Sequence, residues 1–361
     1  MNLEELFRAP DLPRIGVRSG QAMTVLGPVP ADELGVCLMH EHILLDASKK
    51  WRPPCGCAEP GFADRLVSAE MQPALRRDPV GNRDNCLLLD ADLAVAELMH
   101  FANLGGRTIV DATVGGIGRD LPALQRIAAR TGLHIVAGTG FYLESSHPAG
   151  VRDASIEDLA EAIVFDIGGL AERPRILAGL IGEIGISPDF TPGEDKCLRA
   201  AARAAARTGV PLSIHLPGWE RFGDRVLDIA EAEGADLAHT ILCHMNPSLA
   251  DEPYQHRLAR RGCFLEYDMI GMDYFFAEKG VQSPSDAENA TAIRKLIDAG
   301  FIDRLLLSQD IFLKMMLRKY GGHGYGHILR SFLPRLRLHG VGDDAIEILM
   351  VRNPRRVFGG A

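Results

Sequence analysis

Five short apolar runs of this chain each end in an imidazole or a carboxylate, and that repeated ending constrains the fold more than any other feature. The runs are CLMHEH, closing on His40 and His42; LIGE, on Glu183; LSIH, on His215; ILCH, on His244; and LLLSQD, on Asp310. A polar group carried into an apolar interior costs several kcal/mol unless it finds a partner. One shared partner would satisfy all five endings. Four imidazoles and two carboxylates form a donor set suited to two divalent ions such as Zn2+, with positions left over for water.

The same runs belong to a longer alternation. Strand-like segments fall at 35–40, 108–113, 134–140, 178–183, 210–215, 240–244, 263–267 and 304–310, and helix-like stretches follow them. DADLAVAELMHFANLGG spaces its apolar residues three and four apart and ends in a Gly pair suited to a C-cap. SIEDLAEAIVFDI opens with Ser155 and Asp158 in capping-box positions. Strands buried on both faces and alternating with helices imply a parallel sheet, and eight such units match a closed (β/α)8 TIM barrel. That fold carries its chemistry at the C-terminal ends of its strands, and all six polar endings fall there. His40 and His42, two apart, are expected on one side of the first strand. The expected architecture is one domain spanning 1–361, with a short N-terminal segment before the barrel. A connection of about 45 residues after strand one, far longer than a compact domain usually carries, is expected to form a cap or interface over the mouth.

Composition removes several functions. A net charge of −9 argues against nucleic acid or an anionic membrane surface as partner. No segment reaches the length of a membrane-spanning apolar run, and the opening MNLEELFRAPDLPRIG has no signal-peptide core. Seven scattered cysteines fit free thiols in a reducing compartment, so a cytoplasmic protein acting on a small molecule is expected, with a homodimer as its assembly. Cys55-Gly56-Cys57 lacks a second pair at zinc-ribbon spacing and is expected to be a loop of free thiols. VGGIGRD is neither a Walker loop nor a dinucleotide fingerprint, and a tight turn is its expected role.

The order HxH, a bridging residue on strand four, His on strands five and six, and Asp on strand eight resembles the phosphotriesterase family of the amidohydrolase superfamily. Within it, RDPVGNRDN, GTGFYLESSH, GLIGEIG, CFLEYDMIG and YGGHGYGHI resemble the phosphotriesterase-related proteins. The resemblance implies that His40, His42 and Asp310 hold the more buried of two metal ions and His215 and His244 the more exposed one. It implies that Glu183 and a hydroxide bridge them. Bacterial phosphotriesterases and lactonases carry a carboxylated lysine where this chain has Glu183, and a glutamate offers the same charge and two oxygens. Asp310 is implied as ligand and proton shuttle.

Substrate contacts are expected from the loops after the strands. Tyr142 is expected to hydrogen-bond the reacting carbonyl oxygen, Trp219 and Tyr267 to line a leaving-group pocket, and His323 to approach the ligand between its flanking glycines. Lys314, Arg318 and Lys319 form a cationic loop eight suited to an anionic tail. The leading expectation is a hydrolase for a small amide, lactone or ester bearing an anionic group, such as an N-acyl amino acid, an N-acyl sulfonate or a sugar lactone. The alternatives are a phosphotriesterase acting on organophosphates and a metal-stabilised binding protein without turnover.

Overall fold

The computed structural model describes residues 20–56, 58–168, 175–277 and 279–359. Eight parallel strands form one sheet: β1 (Val36–Glu41), β2 (Gly106–Asp111), β3 (His134–Thr139), β4 (Leu180–Gly185), β5 (Leu212–His215), β6 (Thr240–Leu242), β7 (Phe264–Tyr267) and β8 (Leu305–Leu307). Each pairs with its neighbour in sequence, which is the barrel order. The seam between β1 and β8 is closed largely by side chains. Ser308 Oγ accepts from the His40 amide at 2.9 Å and donates to Glu41 Oε1 at 2.8 Å, while the Asp310 amide donates to the His40 carbonyl at 3.1 Å.

A helix follows each of the first seven strands: α1 (Ala91–Asn103), α2 (Leu121–Thr131), α3 (Ile156–Gly168), α4 (Pro192–Thr208), α5 (Gly223–Ala232), α6 (Glu252–Arg260) and α7 (Asp286–Asp298). Their starts are fixed locally. Ser155 and Asp158 exchange amide-to-side-chain hydrogen bonds at 3.1 Å ahead of α3, and Asp90 caps α1 through the amides of Asp92 and Leu93. None of the described helices is long and apolar enough to cross a membrane.

The bottom of the barrel is plugged by apolar side chains. Cys37, Met39, Val110, Ile241 and Phe264 form one buried cluster with Val357 and Phe358 of the helix Asn353–Gly359. His239, which precedes β6, bonds the Val357 carbonyl at that end, remote from the strand-end ligands. At the other end, residues 42–56 and 58–90 form the connection after β1, and Lys50, Arg52 and Val80 of it line the mouth. Phe62, Met71, Leu75 and Cys86 bury themselves in the main core, and Asn82 ties the Phe62 and Arg65 carbonyls together. The antiparallel hairpin Gln21–Thr24 with Gly27–Pro30 forms the N-terminal segment before the barrel.

Candidate metal centre

Three local devices turn the six polar endings toward one another. On β1, Cys37 and Met39 pack inside the barrel, so simple alternation would send His40 outward. The pairing of β1 with β2 is irregular between Leu38 and Glu41, and His40 turns inward there. β4 shows the same device, with Leu180 inside and an irregular register between Ile181 and Ile184 flanking Glu183. His244 and Asp310 lie past the ends of β6 and β8, in left-handed backbone at φ 58° and φ 49°. Such geometry costs a non-glycine residue about 1–3 kcal/mol and persists only when its surroundings enforce it. Here the His244 amide is held by both oxygens of Asp268 at 3.1 and 3.0 Å, and the Ile311 amide by Glu41 at 2.9 Å.

The endings converge around Glu183. Its Oε1 lies 3.3 Å from His42 Nε2, and its Oε2 lies 2.9 Å from His215 Nδ1, 3.6 Å from His40 Nε2 and 3.7 Å from His244 Nε2. Asp310 Oδ1 stands 3.3 Å from His42 Nε2 and 3.8 Å from His40 Nε2. Four overlapping sets among the described residues have donor atoms within 4.8 Å of one another, and three of them join the polar endings: His40, His42 and Glu183; His40, His244 and Asp310; Glu183, His215 and His244; the fourth, His40 with Cys243, Glu266 and Asp268, lies behind the His40 ring. The fit to metal has an internal test. His40 Nε2 is fully buried, points into the cluster, and has no hydrogen-bond partner among the described residues. Set among the Glu183 and Asp310 carboxylates, a ring nitrogen in that condition fits a lone pair directed at a cation.

A second layer orients the imidazoles. His40 Nδ1 lies 3.2 Å from Glu266 Oε2, His244 Nδ1 lies 3.0 Å from Asp268 Oδ1, and His42 Nδ1 lies 2.9 Å from Thr113 Oγ1. Donation from each Nδ1 leaves Nε2 facing the cluster, as metal-binding histidines generally require. Sequence reasoning missed these groups, although Glu266 and Asp268 stand two apart in the apolar run CFLEYD and show the same pattern as His40 and His42. It also missed Glu41, whose buried carboxylate accepts from Ser308 and from the Gln309 and Ile311 amides and thereby shapes loop eight.

The electrostatics follow from burial opposed by neighbours. Burial alone would raise the Glu183 carboxyl, yet the imidazoles of His215 and His40 hold it well below the ordinary value. Burial depresses His42, but Asp310 and Glu183 draw it up to about 9; Asp268 does the same to His244. His215, pressed down by burial and by His244, falls to about 3 and keeps its lone pairs. The cluster thus pairs anionic carboxylates with imidazoles whose protons a cation would displace.

A cavity of about 600 Å3 opens above the cluster, with Tyr142, His215, Phe276 and Phe312 among its walls. Tyr142 is one of the cavity walls, its hydroxyl 3.4 Å from both ring nitrogens of His215, and burial raises its phenol well above the ordinary value. Trp219 stands one ring behind the wall, edge-on to Phe276 at 5.8 Å between centroids. Tyr267 does not line the cavity. Period-two alternation that aims Glu266 and Asp268 inward aims Tyr267 outward, where it is fully buried and donates to Gln255 Oε1 at 2.6 Å. His323 does not line it either. Its ring packs against His327 at 4.7 Å, and burial together with His327 lowers it to about 4. The neighbouring glycine serves loop packing: a Cβ at Gly322 would sit 2.2 Å from the Met316 backbone.

The basic residues of loop eight do not line the cavity. Lys314 pairs with Asp84, and the Arg318 and Lys319 amides donate to Glu97. In VGGIGRD, a Cβ on Gly116 would sit 2.0 Å from the Ser146 carbonyl oxygen and one on Gly118 2.6 Å from the Asp46 amide, so close packing explains the glycines. Of the Cys55-Cys57 loop, Cys57 lies outside the described residues; Cys37, Cys86, Cys197, Cys243 and Cys263 are buried free thiols.

A model of the phosphotriesterase family matches residues 20–358. The N-acetyltaurine hydrolase of Xenopus tropicalis is 35% identical over 347 residues, spanning 94% of this chain and 97% of its own. The crystal structure of a resiniferatoxin-binding protein from Rhodobacter sphaeroides is similar with a TM-score of 0.93 at 53% identity, covering 97% of this chain and 98% of that one. A lactonase from Listeria monocytogenes is similar with a TM-score of 0.74 at 25% identity, covering 94% and 98%.

Proposed function

The chain belongs to the phosphotriesterase family of hydrolases, and from that premise we propose that it is a binuclear metal-dependent amidase for a small N-acyl compound carrying an anionic group, of the N-acyl amino acid or N-acyl sulfonate kind. The observation that carries the binuclear reading is the position of Glu183, one oxygen toward His42 and the other toward His215, His40 and His244. Substrate choice is supported by the full-length likeness to N-acetyltaurine hydrolase. In this reading His40, His42 and Asp310 hold one ion, His215 and His244 the other, and Glu183 joins them. The nitrogen-rich donor set favours zinc. When bound, the ions supply an acidified water and an electrophile for the carbonyl oxygen.

The chain's own groups do the rest. Asp310 takes the proton of the attacking water as its oxygen bonds to the carbonyl carbon, then delivers that proton to the nitrogen as the C–N bond breaks. Carboxylic acid and amine leave, and atoms balance with one water consumed. Tyr142 keeps its proton at any working pH and donates a hydrogen bond to the carbonyl oxygen. Strained backbone at Asp310 and His244 holds both side chains in register with Glu183.

The test is metal content together with turnover. Active protein is expected to hold two divalent ions per chain, to lose activity to a chelator and regain it with zinc, and to hydrolyse N-acyl sulfonates or N-acyl amino acids in preference to lactones and aryl phosphotriesters. Full activity with one ion, or preference for a phosphotriester, overturns the reading.

A further inference from the structure

Which cation receives the anionic end of the substrate is a separate question, because Lys314 is paired with Asp84 and the exposed Arg318 and Lys319 do not line the cavity. Lys50 answers it. It ends the short turn Ser48–Lys50 in the connection after β1, where its amide donates to the Ala47 carbonyl at 2.8 Å. Its side chain enters the mouth and places Nζ 5.1 Å from the Tyr142 ring centroid and 4.7 Å from that of Phe312. Among the described residues no carboxylate lies within ion-pairing distance of this ammonium. Aromatic faces hold a cation in place without neutralising it, so its charge is available to a ligand.

The surroundings single it out. Lys50 lines both the 600 Å3 cavity and a smaller pocket of about 60 Å3 whose walls include His42 and Glu183. Arg52, also at the cavity, is exposed and spends its guanidinium on the Lys49 and Trp51 carbonyls. Of the cavity's acidic groups, Glu194 is consumed by Ser187, Thr191 and the Glu144 amide, and Glu144 and Asp189 stand on the exposed rim. Lys279 also lines the cavity, exposed over the Trp219 and Phe276 rings, but of these three cations only Lys50 and Arg52 line the smaller pocket beside His42 and Glu183. Tyr142 links ammonium and metal cluster: its ring centroid is 4.8 Å from that of His215. Nζ therefore stands no farther from the His215 ring than those spans of 5.1 and 4.8 Å laid end to end, close enough for one small substrate to meet both.

We propose that Lys50 is the specificity-determining anchor for the substrate's carboxylate or sulfonate, selecting N-acyl compounds whose anion follows the amide nitrogen by a short spacer. This rests on the amidase reading, and the experiment separates the two. Metal-loaded wild type, Lys50→Met and Lys50→Arg are compared on N-acetyl-2-aminoethanesulfonate and on its neutral counterpart N-acetylethanolamine. The ratio of kcat/KM for sulfonate over neutral substrate is expected to fall about tenfold or more in Lys50→Met, chiefly through KM, and to recover in part in Lys50→Arg. A ratio within about twofold of wild type overturns the anchor. If wild type hydrolyses neither compound nor any N-acetyl amino acid, the amidase reading fails on its own; calorimetric titration of the same sulfonate then tests the anchor. Binding to wild type that weakens about tenfold in Lys50→Met sustains it, and equal binding to both, or none to wild type, overturns it.

Discussion

The floor of the barrel mouth and its rim are built on opposite principles. On the floor, each histidine expected to meet metal through Nε2 has a second group behind it: Glu266 behind His40, Thr113 behind His42, Asp268 behind His244. On the rim, Lys50 touches only aromatic faces, Arg52 spends itself on nearby carbonyls, and Trp219 leans on Phe276. A floor residue is over-determined, so it cannot move without breaking something else. A rim residue is satisfied by water and is free to specialise. The floor therefore sets the reaction and the rim the substrate.

The sharpest contrast comes from Asp310, the residue proposed as both ligand and proton carrier. Asp310→Asn keeps one donor oxygen but loses the charge and the basicity. Turnover is expected to fall by at least ~10²-fold while much of the metal stays bound, as read by steady-state kinetics beside elemental analysis of the same sample. Wild-type turnover with both ions present would erase the difference between floor and rim.

A smaller effect should come from the layer beneath. Asp268 holds both the Nδ1 and the amide of His244, whose backbone is left-handed at φ 58°. Asp268→Asn is expected to weaken metal retention by ~10–100-fold, seen as loss of one ion during dialysis against a mild chelator. Activity should return when zinc is supplied in excess. An unchanged retention would mean that the layer does not orient His244.

How much of this was legible in the sequence follows the same division. All eight strands were visible, five because an apolar run ending in a ligand makes sense at a barrel mouth and three through the strand–helix alternation alone, and the structure starts or ends each within two or three residues of the expected bounds. Register was less legible. Alternation from Cys37 and Met39 would have turned His40 outward, and only the irregular pairing with β2 turns it in; apolar periodicity carries no mark of such a shift. The rim was the least legible. Lys50 sits in SKKW among other charges, and loop eight, richer in charge, looked the better anion site; but Lys314 pairs with Asp84, and Glu97 holds the Arg318 and Lys319 amides so that their side chains stand exposed away from the cavity. Those partners come from residues hundreds of positions away, and no local pattern announces them.

Tyr267 gives the smallest expected effect on catalysis and the cleanest check on the division. Alternation along FLEYD was sufficient to place it, since Glu266 and Asp268 face the cluster and the residue between them must face α6. There its hydroxyl donates to Gln255, whose amide in turn donates to the Met245 carbonyl and to Ser248 Oγ. Tyr267→Phe leaves a buried acceptor on Gln255 without its donor, a loss of about 1–3 kcal/mol of stability that a denaturant titration would detect. Because the hydroxyl faces away from the substrate, kcat and KM should stay within about twofold of wild type once the variant is folded and metal-loaded. A selective rise in KM for one substrate class, with stability unchanged, would return Tyr267 to the rim. Loss of stability without loss of specificity keeps it in the wall behind the strand, where chemistry at the mouth depends on it only through the loop that carries His244.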